Sequence, residues 1–122
     1  ARFDPIEAMA RYFSAQIELA LACGTDKLIL DAGLGFYYRN LQDSQKRVQY
    51  QMNTFLAGFR LRALGQPIGQ ALPHAFAYFG EEVRCAEPFF AVLAALGKTD
   101  LYRTHEVPKV KAVLDTLRSF TP

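Results

Sequence analysis

The stretch Lys27–Phe36, with the sequence KLILDAGLGF, predicts the centre of the fold. Its apolar run from Leu28 to Leu30 is typical of a parallel strand covered on both faces, because such a strand has no side that faces water. Asp31 closes this strand, and Gly33 and Gly35 form the turn that follows. In α/β folds, ligands bind at the carboxyl ends of parallel strands, so we expect Asp31 to accept hydrogen bonds from a polar ligand.

The same residues also have a purely structural interpretation. Asp31 would then be the carboxylate that begins a helix, and the two glycines would serve only the turn. The run Gly33-Leu34-Gly35 lacks the third glycine and the helix opening of a dinucleotide-binding fingerprint. This absence excludes a Rossmann fold.

Before this stretch, the chain has the pattern of one amphipathic helix of about 18 residues. Asp4 predicts its N-cap, Pro5 suits its first position, and Glu7 stands where a capping box places its acid. Gly24 is expected to follow its end. The residues predicted to form its apolar stripe are Ile6, Met9, Phe13, Ile17 and Leu21.

After residue 36, the sequence continues to alternate between helical and strand patterns. In order, it predicts a helix from 42 to about 64, a short strand over 66–72, a loop with exposed aromatic residues over 73–80, a helix over 87–97, a strand over 100–106 and a helix from 108. The apolar residues expected to be buried in these helices include Val48, Met52, Phe55, Phe59, Phe89, Phe90, Val92, Leu93, Leu96, Val110, Val113, Leu114 and Leu117. Such βα units form a parallel sheet, because right-handed crossovers place successive strands side by side.

Composition excludes several classes of protein. The chain has 122 residues, 51% of them hydrophobic, which is typical of one domain or a fragment of one. Its 14 basic and 12 acidic residues are evenly spread and leave a net charge of +2, which argues against binding to nucleic acid or to an anionic membrane.

The cysteine, histidine and targeting patterns lead to further expectations. No apolar run approaches the ~20 residues that span a bilayer, and the amino terminus has no signal-peptide pattern, so we expect a cytoplasmic protein. Cys23 and Cys85 lack CxxC spacing and are expected to be buried or half-buried thiols. With 2 histidines and no paired-ligand spacing, no metal centre is predicted.

Three runs resemble the C-terminal half of dihydropteroate synthase, a (β/α)8 barrel that joins a pterin pyrophosphate to 4-aminobenzoate in folate synthesis. The Asp31–Phe36 run is similar to the family's Asp-Pro-Gly-Ile-Gly-Phe, with alanine for proline. The Leu64–Gly69 run is similar to the approach to the seventh strand, and Arg103–Val107 is similar to the Arg-Val-His-Asp-Val that ends the eighth. The resemblance covers nearly all of 1–122 and implies an α/β fold whose parallel βα units form the C-terminal half of a (β/α)8 TIM barrel.

The resemblance also implies a site for a pterin pyrophosphate. Asp31 would accept hydrogen bonds from the pterin ring, beside the loop of Gly33, Gly35 and Phe36. No cofactor is evident in this chain, although the family's full barrel binds Mg2+.

At the other end of the ligand, the resemblance implies that Arg103 and His105 hold the pyrophosphate, to which a guanidinium fork and an imidazole are suited. The alternative for these two residues is a surface ion pair with Glu106 or with a neighbour. His74 lies within one residue of the lysine position in the family's Gly-Thr-Ser-Arg-Lys-Ser run, for which 69–76 here has GQALPHAF.

Because the serine, arginine and lysine of that run are missing, two other functions stay open. One is a catalytically silent structural or interaction domain, and the other is a barrel like the methyltetrahydrofolate-binding methyltransferases. Strands six to eight alone would leave open sheet edges, so we expect a homo-oligomer or association with the remainder of a barrel.

Overall fold

The computed structural model describes residues 3–34 and 43–120, and within them it shows a mixed α/β fold that is mostly helical. The elements are α1 (Pro5–Ala22), β1 (Leu30–Asp31), α2 (Ser44–Ala57), a 3₁₀ helix (Gly58–Leu64), β2 (Ile68–Ala71), α3 (Phe76–Phe79), a 3₁₀ helix (Gly80–Cys85), α4 (Ala86–Leu96), β3 (Leu101–Arg103) and α5 (Val107–Ser119). The predicted alternation of helices and strands is confirmed. Gly35 and Phe36 lie outside the described residues.

The three strands form one parallel sheet in the order β1-β2-β3. Asp31 pairs with Gly69, which pairs in turn with Leu101. Ala71 pairs with Arg103. The carboxyl ends of all the strands therefore lie along one edge of the sheet, as expected for βα units.

Helix α1 begins where the sequence predicts. The Asp4 carboxylate caps it by accepting hydrogen bonds from the backbone amides of Ile6 and Glu7. The prediction of a capping box is wrong, because the Glu7 side chain accepts a hydrogen bond from Arg11 and not from the backbone amide of Asp4. Leu21 was predicted to be buried but is exposed, because the helix extends beyond the elements it packs against.

The helix predicted up to residue 64 changes its winding before it ends. It is α-helical to Ala57 and continues as a 3₁₀ helix to Leu64, where Gly65 stops it with a positive φ of 86°. The tighter winding turns Phe59 towards solvent, so its predicted burial is wrong.

The region predicted as a loop over 73–80 is partly helical, since α3 and the following 3₁₀ helix lead into α4. Phe76 and Tyr78 are exposed, as predicted. In α4, Phe90 is buried, but Phe89 and Leu96 are exposed because they lie off the face that packs on the core.

The helices pack on one face of the sheet around two clusters of buried side chains. The larger cluster consists of Leu34, Val48, Phe55, Leu72, Ala75, Phe90, Ala91, Ala94 and Val110. The smaller cluster consists of Ile6, Leu30, Leu61 and Ile68, with Met9, Phe13 and Ile17 of α1 packed against it. Burial of these side chains is the main source of stability.

The other face of the sheet is not covered by any described residue. Ile29 is 55% exposed and Leu101 is 54% exposed, although the sequence predicts a strand covered on both faces. Gly69 lies between them, and a Cβ there would come within 2.9 Å of Cγ2 of Ile29. Glycine therefore allows the two apolar side chains to approach each other across the central strand.

Two further expectations concern the surface. Cys23 and Cys85 are both free and exposed, so their predicted burial is wrong. Cys23 lies at the end of α1, and Cys85 lies in the segment before α4, where the chain points away from the core. In the described part of the chain, no helix is long and apolar enough to cross a membrane.

Candidate functional site

A cleft of about 210 Å³ lies at the carboxyl edge of the sheet. Its walls come from residues that follow the strands, together with one face of α2. The lining residues are Leu34, Arg47, Gln51, Ala71, Leu72, Pro73, His74, Ala75, Phe76, Arg103 and His105. The structure thus brings three of the predicted site residues, His74, Arg103 and His105, into one cleft.

Glu87 lies behind the two histidines of the cleft and contacts both of them, and its side chain is 0% exposed. It lies in the first turn of α4 on the same helical face as Phe90, Ala91 and Ala94, which are also buried. Packing of that face on the core carries the carboxylate inward. The amino end of a helix also favours a negative charge.

Donors from the β3–α5 loop hold one oxygen of the Glu87 carboxylate. Oε1 accepts a 2.6 Å hydrogen bond from the Thr104 hydroxyl and a 2.8 Å hydrogen bond from the backbone amide of His105. Burial by itself raises the pKa of the Glu87 carboxyl, but these donors and the neighbouring His74 ring outweigh it and lower that pKa. The carboxylate is therefore stable in its charged form.

The second oxygen of Glu87 faces both histidines of the chain. Oε2 lies 3.0 Å from Nε2 of His74 and 3.3 Å from Nδ1 of His105. The two imidazole rings are 5.4 Å apart between centroids, and the His74 ring lies 5.1 Å from that of Phe76. One carboxylate thus positions two imidazoles that come from different loops.

Arg103 supplies a cationic group to the same cleft. Its side chain is exposed and makes no hydrogen bond or ion pair with any described residue. Glu106, the alternative partner proposed from sequence for Arg103 and His105, instead pairs with Arg84 at 3.0 Å and with Lys109 at 3.7 Å. The expected pairing with Glu106 is therefore wrong, but His105 does pair with another carboxylate, that of Glu87 at 3.3 Å.

Asp31 does not line the cleft. It is exposed at the end of β1, where its Oδ1 accepts a 2.7 Å hydrogen bond from the backbone amide of Gly33, whose φ is 72°. Asp31 and Arg103 lie on the same face of the sheet, on its two outer strands. From strand spacing and rise, their Cα atoms are roughly 12 Å apart. A ligand that contacts both must therefore extend along the sheet edge.

Sequence reasoning missed Glu87 and Thr104. Glu87 was interpreted only as the start of a helix, although its spacing to Phe90, Ala91 and Ala94 places it on an apolar face. A carboxylate on such a face needs a buried partner, because burial of an unpaired charge is costly. That pattern was the signal in the sequence, but it does not identify which loops supply the partners.

These features define an α/β protein with a polar cleft at the carboxyl edge of a parallel sheet. Comparisons with protein-family models, with curated proteins and with solved structures each found no match.

Proposed function

We propose that the protein binds a small molecule carrying a pyrophosphate group, in the manner of dihydropteroate synthase. The observation that carries this proposal is the Arg103 guanidinium, which has no partner among the described residues and shares a cleft with His74 and His105. A guanidinium fork and imidazole N–H groups are suitable donors to phosphate oxygens. The carboxyl edge of a parallel sheet is also where ligands of α/β proteins bind.

The pterin end of the ligand is assigned to Asp31. One carboxylate oxygen accepts the Gly33 amide, which orients the side chain and leaves lone pairs for the N–H groups of a pterin ring. The separation of Asp31 and Arg103 suits an extended molecule with a polar ring at one end and phosphates at the other. The activity proposed is that of a transferase joining the pterin to 4-aminobenzoate in the cytoplasm.

His74 is relevant to the missing Ser-Arg-Lys run. It lies in the cleft against Glu87 and beside the ring of Phe76, rather than in open solvent. This position supports a role for His74 in place of the family's lysine. Magnesium would accompany the pyrophosphate in a full barrel.

Isothermal titration calorimetry with the two halves of the ligand tests the proposal. Arg103→Gln should weaken binding of pyrophosphate with Mg2+, whereas Asp31→Asn should weaken binding of 6-hydroxymethylpterin. Arg11→Gln, which changes an exposed arginine on α1, is the matched control and should bind both like the unmodified protein. A ligand at 100 times its Kd should stabilise the fold by about 2.7 kcal/mol. No heat and no change in Tm at millimolar concentrations of either ligand would contradict the proposal.

The uncovered face of the sheet supports a second part of the proposal, which concerns architecture. Ile29 and Leu101 would face the inside of a barrel whose remaining strands come from elsewhere in the protein or from a second copy. The same face favours the alternative of a structural or interaction domain, because exposed apolar surface of this kind marks contact sites.

Analytical ultracentrifugation tests this part. Leu101→Glu should shift the protein towards a smaller species or make its core accessible to a hydrophobic dye, since a charge would then face the covered interior. Leu19→Glu, at an exposed leucine of α1, should leave the sedimentation coefficient unchanged. Identical sedimentation and dye binding of both variants and the unmodified protein would show that nothing covers this face.

A further inference from the structure

We infer that His74, Glu87 and His105 form a binding site for a divalent transition-metal ion, with Zn2+ as the best-suited ion. The three ligand atoms are Nε2 of His74, Oε2 of Glu87 and Nδ1 of His105, and they all lie within 4.8 Å of one another. This site goes beyond the proposed function and does not depend on a pterin or a pyrophosphate.

Two of the three distances between ligand atoms match those of a tetrahedral ion. Zinc bonds to nitrogen and oxygen ligands are about 2.0–2.1 Å long, so neighbouring ligands of a tetrahedral site lie about 3.3 Å apart. Glu87 Oε2 is 3.0 Å from the His74 nitrogen and 3.3 Å from the His105 nitrogen. The two imidazole nitrogens, which lie within 4.8 Å of each other, complete the site when they approach to about 3.3 Å, and both rings are exposed enough to turn.

The ligand types decide the class of metal. Two imidazoles and one carboxylate suit Zn2+ and its neighbours in the first transition series, whereas Ca2+ and Mg2+ prefer oxygen ligands throughout. Three protein ligands also leave a fourth position for water or another ligand, which is the arrangement of catalytic zinc sites.

The surroundings of Glu87 hold the carboxylate in the orientation that a metal needs. Its Oε1 accepts hydrogen bonds from the Thr104 hydroxyl and the His105 amide, which leaves Oε2 directed between the two imidazoles. Such outer contacts orient metal ligands and raise affinity. Because Glu87 is fully buried, few alternative rotamers compete with this arrangement.

The open side of the site is the cleft. His74 and His105 both line it, together with Arg103, whose guanidinium pairs with no residue in 3–34 or 43–120. An anionic group in the cleft could therefore take the fourth position on the ion while accepting hydrogen bonds from the guanidinium. The ion would act there as a Lewis acid towards an oxygen ligand.

Metal titration of the purified protein tests this inference. The exposed thiols of Cys23 and Cys85 can also bind zinc, so the experiment uses a Cys23→Ser/Cys85→Ser background. We expect one equivalent of Zn2+ by calorimetry in chelator-treated buffer, and a visible absorption band of tetrahedral Co2+ that zinc displaces. His74→Gln and His105→Gln should each weaken binding at least about tenfold, because even outer contacts of a metal site contribute about 10–100-fold.

Two further variants complete the design. Glu81→Gln removes an exposed carboxylate of the neighbouring 3₁₀ helix and should leave metal affinity unchanged. His74→Gln keeps an N–H donor to Glu87 and alters a partly exposed residue, so it should remain folded by circular dichroism. Absence of binding at millimolar Zn2+, or binding that survives both histidine substitutions, would overturn the inference. Pyrophosphate titration in chelator-treated buffer tests the proposed function separately.

Discussion

The hydroxyl of Thr104 donates a 2.6 Å hydrogen bond to the buried carboxylate of Glu87, which joins the end of β3 to the start of α4. The same hydroxyl oxygen accepts a 2.9 Å hydrogen bond from the backbone amide of Glu106. Thr104 therefore fixes both the carboxylate and the loop that presents His105.

Replacement of this hydroxyl should destabilise the fold. Thr104→Val preserves the shape of the side chain but removes a hydrogen bond to a charged group, so the free energy of unfolding should fall by about 2 kcal/mol. Urea denaturation measures the change. Thr104→Ser retains the hydroxyl and should lose clearly less, and equal loss in the two variants would contradict the role of the hydrogen bond.

Gly97 follows the end of α4 and lies directly against the backbone of α2. Of the glycines whose surroundings the structure describes, it has the closest such contact. A Cβ at this position would lie 1.7 Å from the backbone oxygen of Phe55, and backbone cannot move aside as a side chain can. Gly97→Ala should therefore lower the free energy of unfolding by about 3 kcal/mol. Thermal and urea unfolding check this value.

Gly58 provides the matched control. The nearest atom to a Cβ there would be the Gly97 oxygen at 3.5 Å, an ordinary contact, and its φ of −57° suits any residue. Gly58→Ala should be neutral or stabilising by about 0.5 kcal/mol, because alanine restricts the unfolded chain. A loss at Gly97 as small as that at Gly58 would show that the two helices can separate at little cost.

Replacement of two buried glutamines by methionine should change the free energy of unfolding in opposite directions. Gln70 is 2% exposed, and neither its side-chain oxygen nor its nitrogen has a hydrogen-bond partner among the described residues. Gln70→Met should raise the free energy of unfolding by about 1–2 kcal/mol, because it removes unpaired buried polar atoms at nearly constant volume.

Gln51 is also buried, but its Nε2 donates a 3.0 Å hydrogen bond to the backbone oxygen of Leu34. Gln51→Met leaves that oxygen without this donor and should lower the free energy of unfolding by about 1–2 kcal/mol. Differential scanning calorimetry of the two variants measures whether each substitution raises or lowers stability. A decrease for Gln70→Met would mean that its amide is hydrogen-bonded in solution.

Ionisation of Asp100 should make the free energy of unfolding depend on pH in the acid range. The backbone amide of Ile68 and the Arg62 guanidinium, which donate to its carboxylate at 2.9 and 2.8 Å, lower its pKa below the ordinary value of 3.8. A carboxyl with a lowered folded-state pKa contributes stability that is fully present above the unfolded pKa. That contribution is lost as the pH falls through the folded pKa.

Asp100→Asn should accordingly destabilise the protein by about 1 kcal/mol at pH 7, and the difference from the unmodified protein should shrink as the pH falls through the lowered folded-state pKa of Asp100. Urea denaturation at several pH values measures it. Asp115→Asn, at an exposed carboxylate of α5, should cost less at pH 7 because its ion pairs face solvent. A difference for Asp100→Asn that grows as the pH falls below the ordinary pKa of an aspartate would contradict the assignment.

Much of the fold follows from local sequence. Asp4 as an N-cap, Gly65 and Gly97 after helix ends and Pro108 at a helix start all lie as predicted, because capping and backbone restriction act over a few residues. The alternation of helices and strands was predictable for the same reason. Predictions of burial were less accurate at the helix ends, where Leu21, Leu96 and Phe59 are exposed.

The candidate site was predictable only in part. Arg103 and His105 were identified from one short run, and the structure places them in one cleft with His74. Glu87 was not predicted, because a glutamate beside Pro88 matches an ordinary helix start. Its role depends on which face of α4 packs inward, and that choice is made by contacts with α2 and α5.

By itself, then, the sequence determined the order of the elements, most of the helix boundaries and the parallel arrangement of the sheet, because these depend on neighbouring residues and on the handedness of short crossovers. The strands are shorter than predicted or shifted. Only the tertiary structure decided that no described residue covers one face of the sheet and that His74, Glu87 and His105 meet at one carboxylate oxygen. His74 follows β2, Glu87 lies in α4, and His105 follows β3. Their meeting therefore requires the strand register and the packing of α4, which no local pattern encodes.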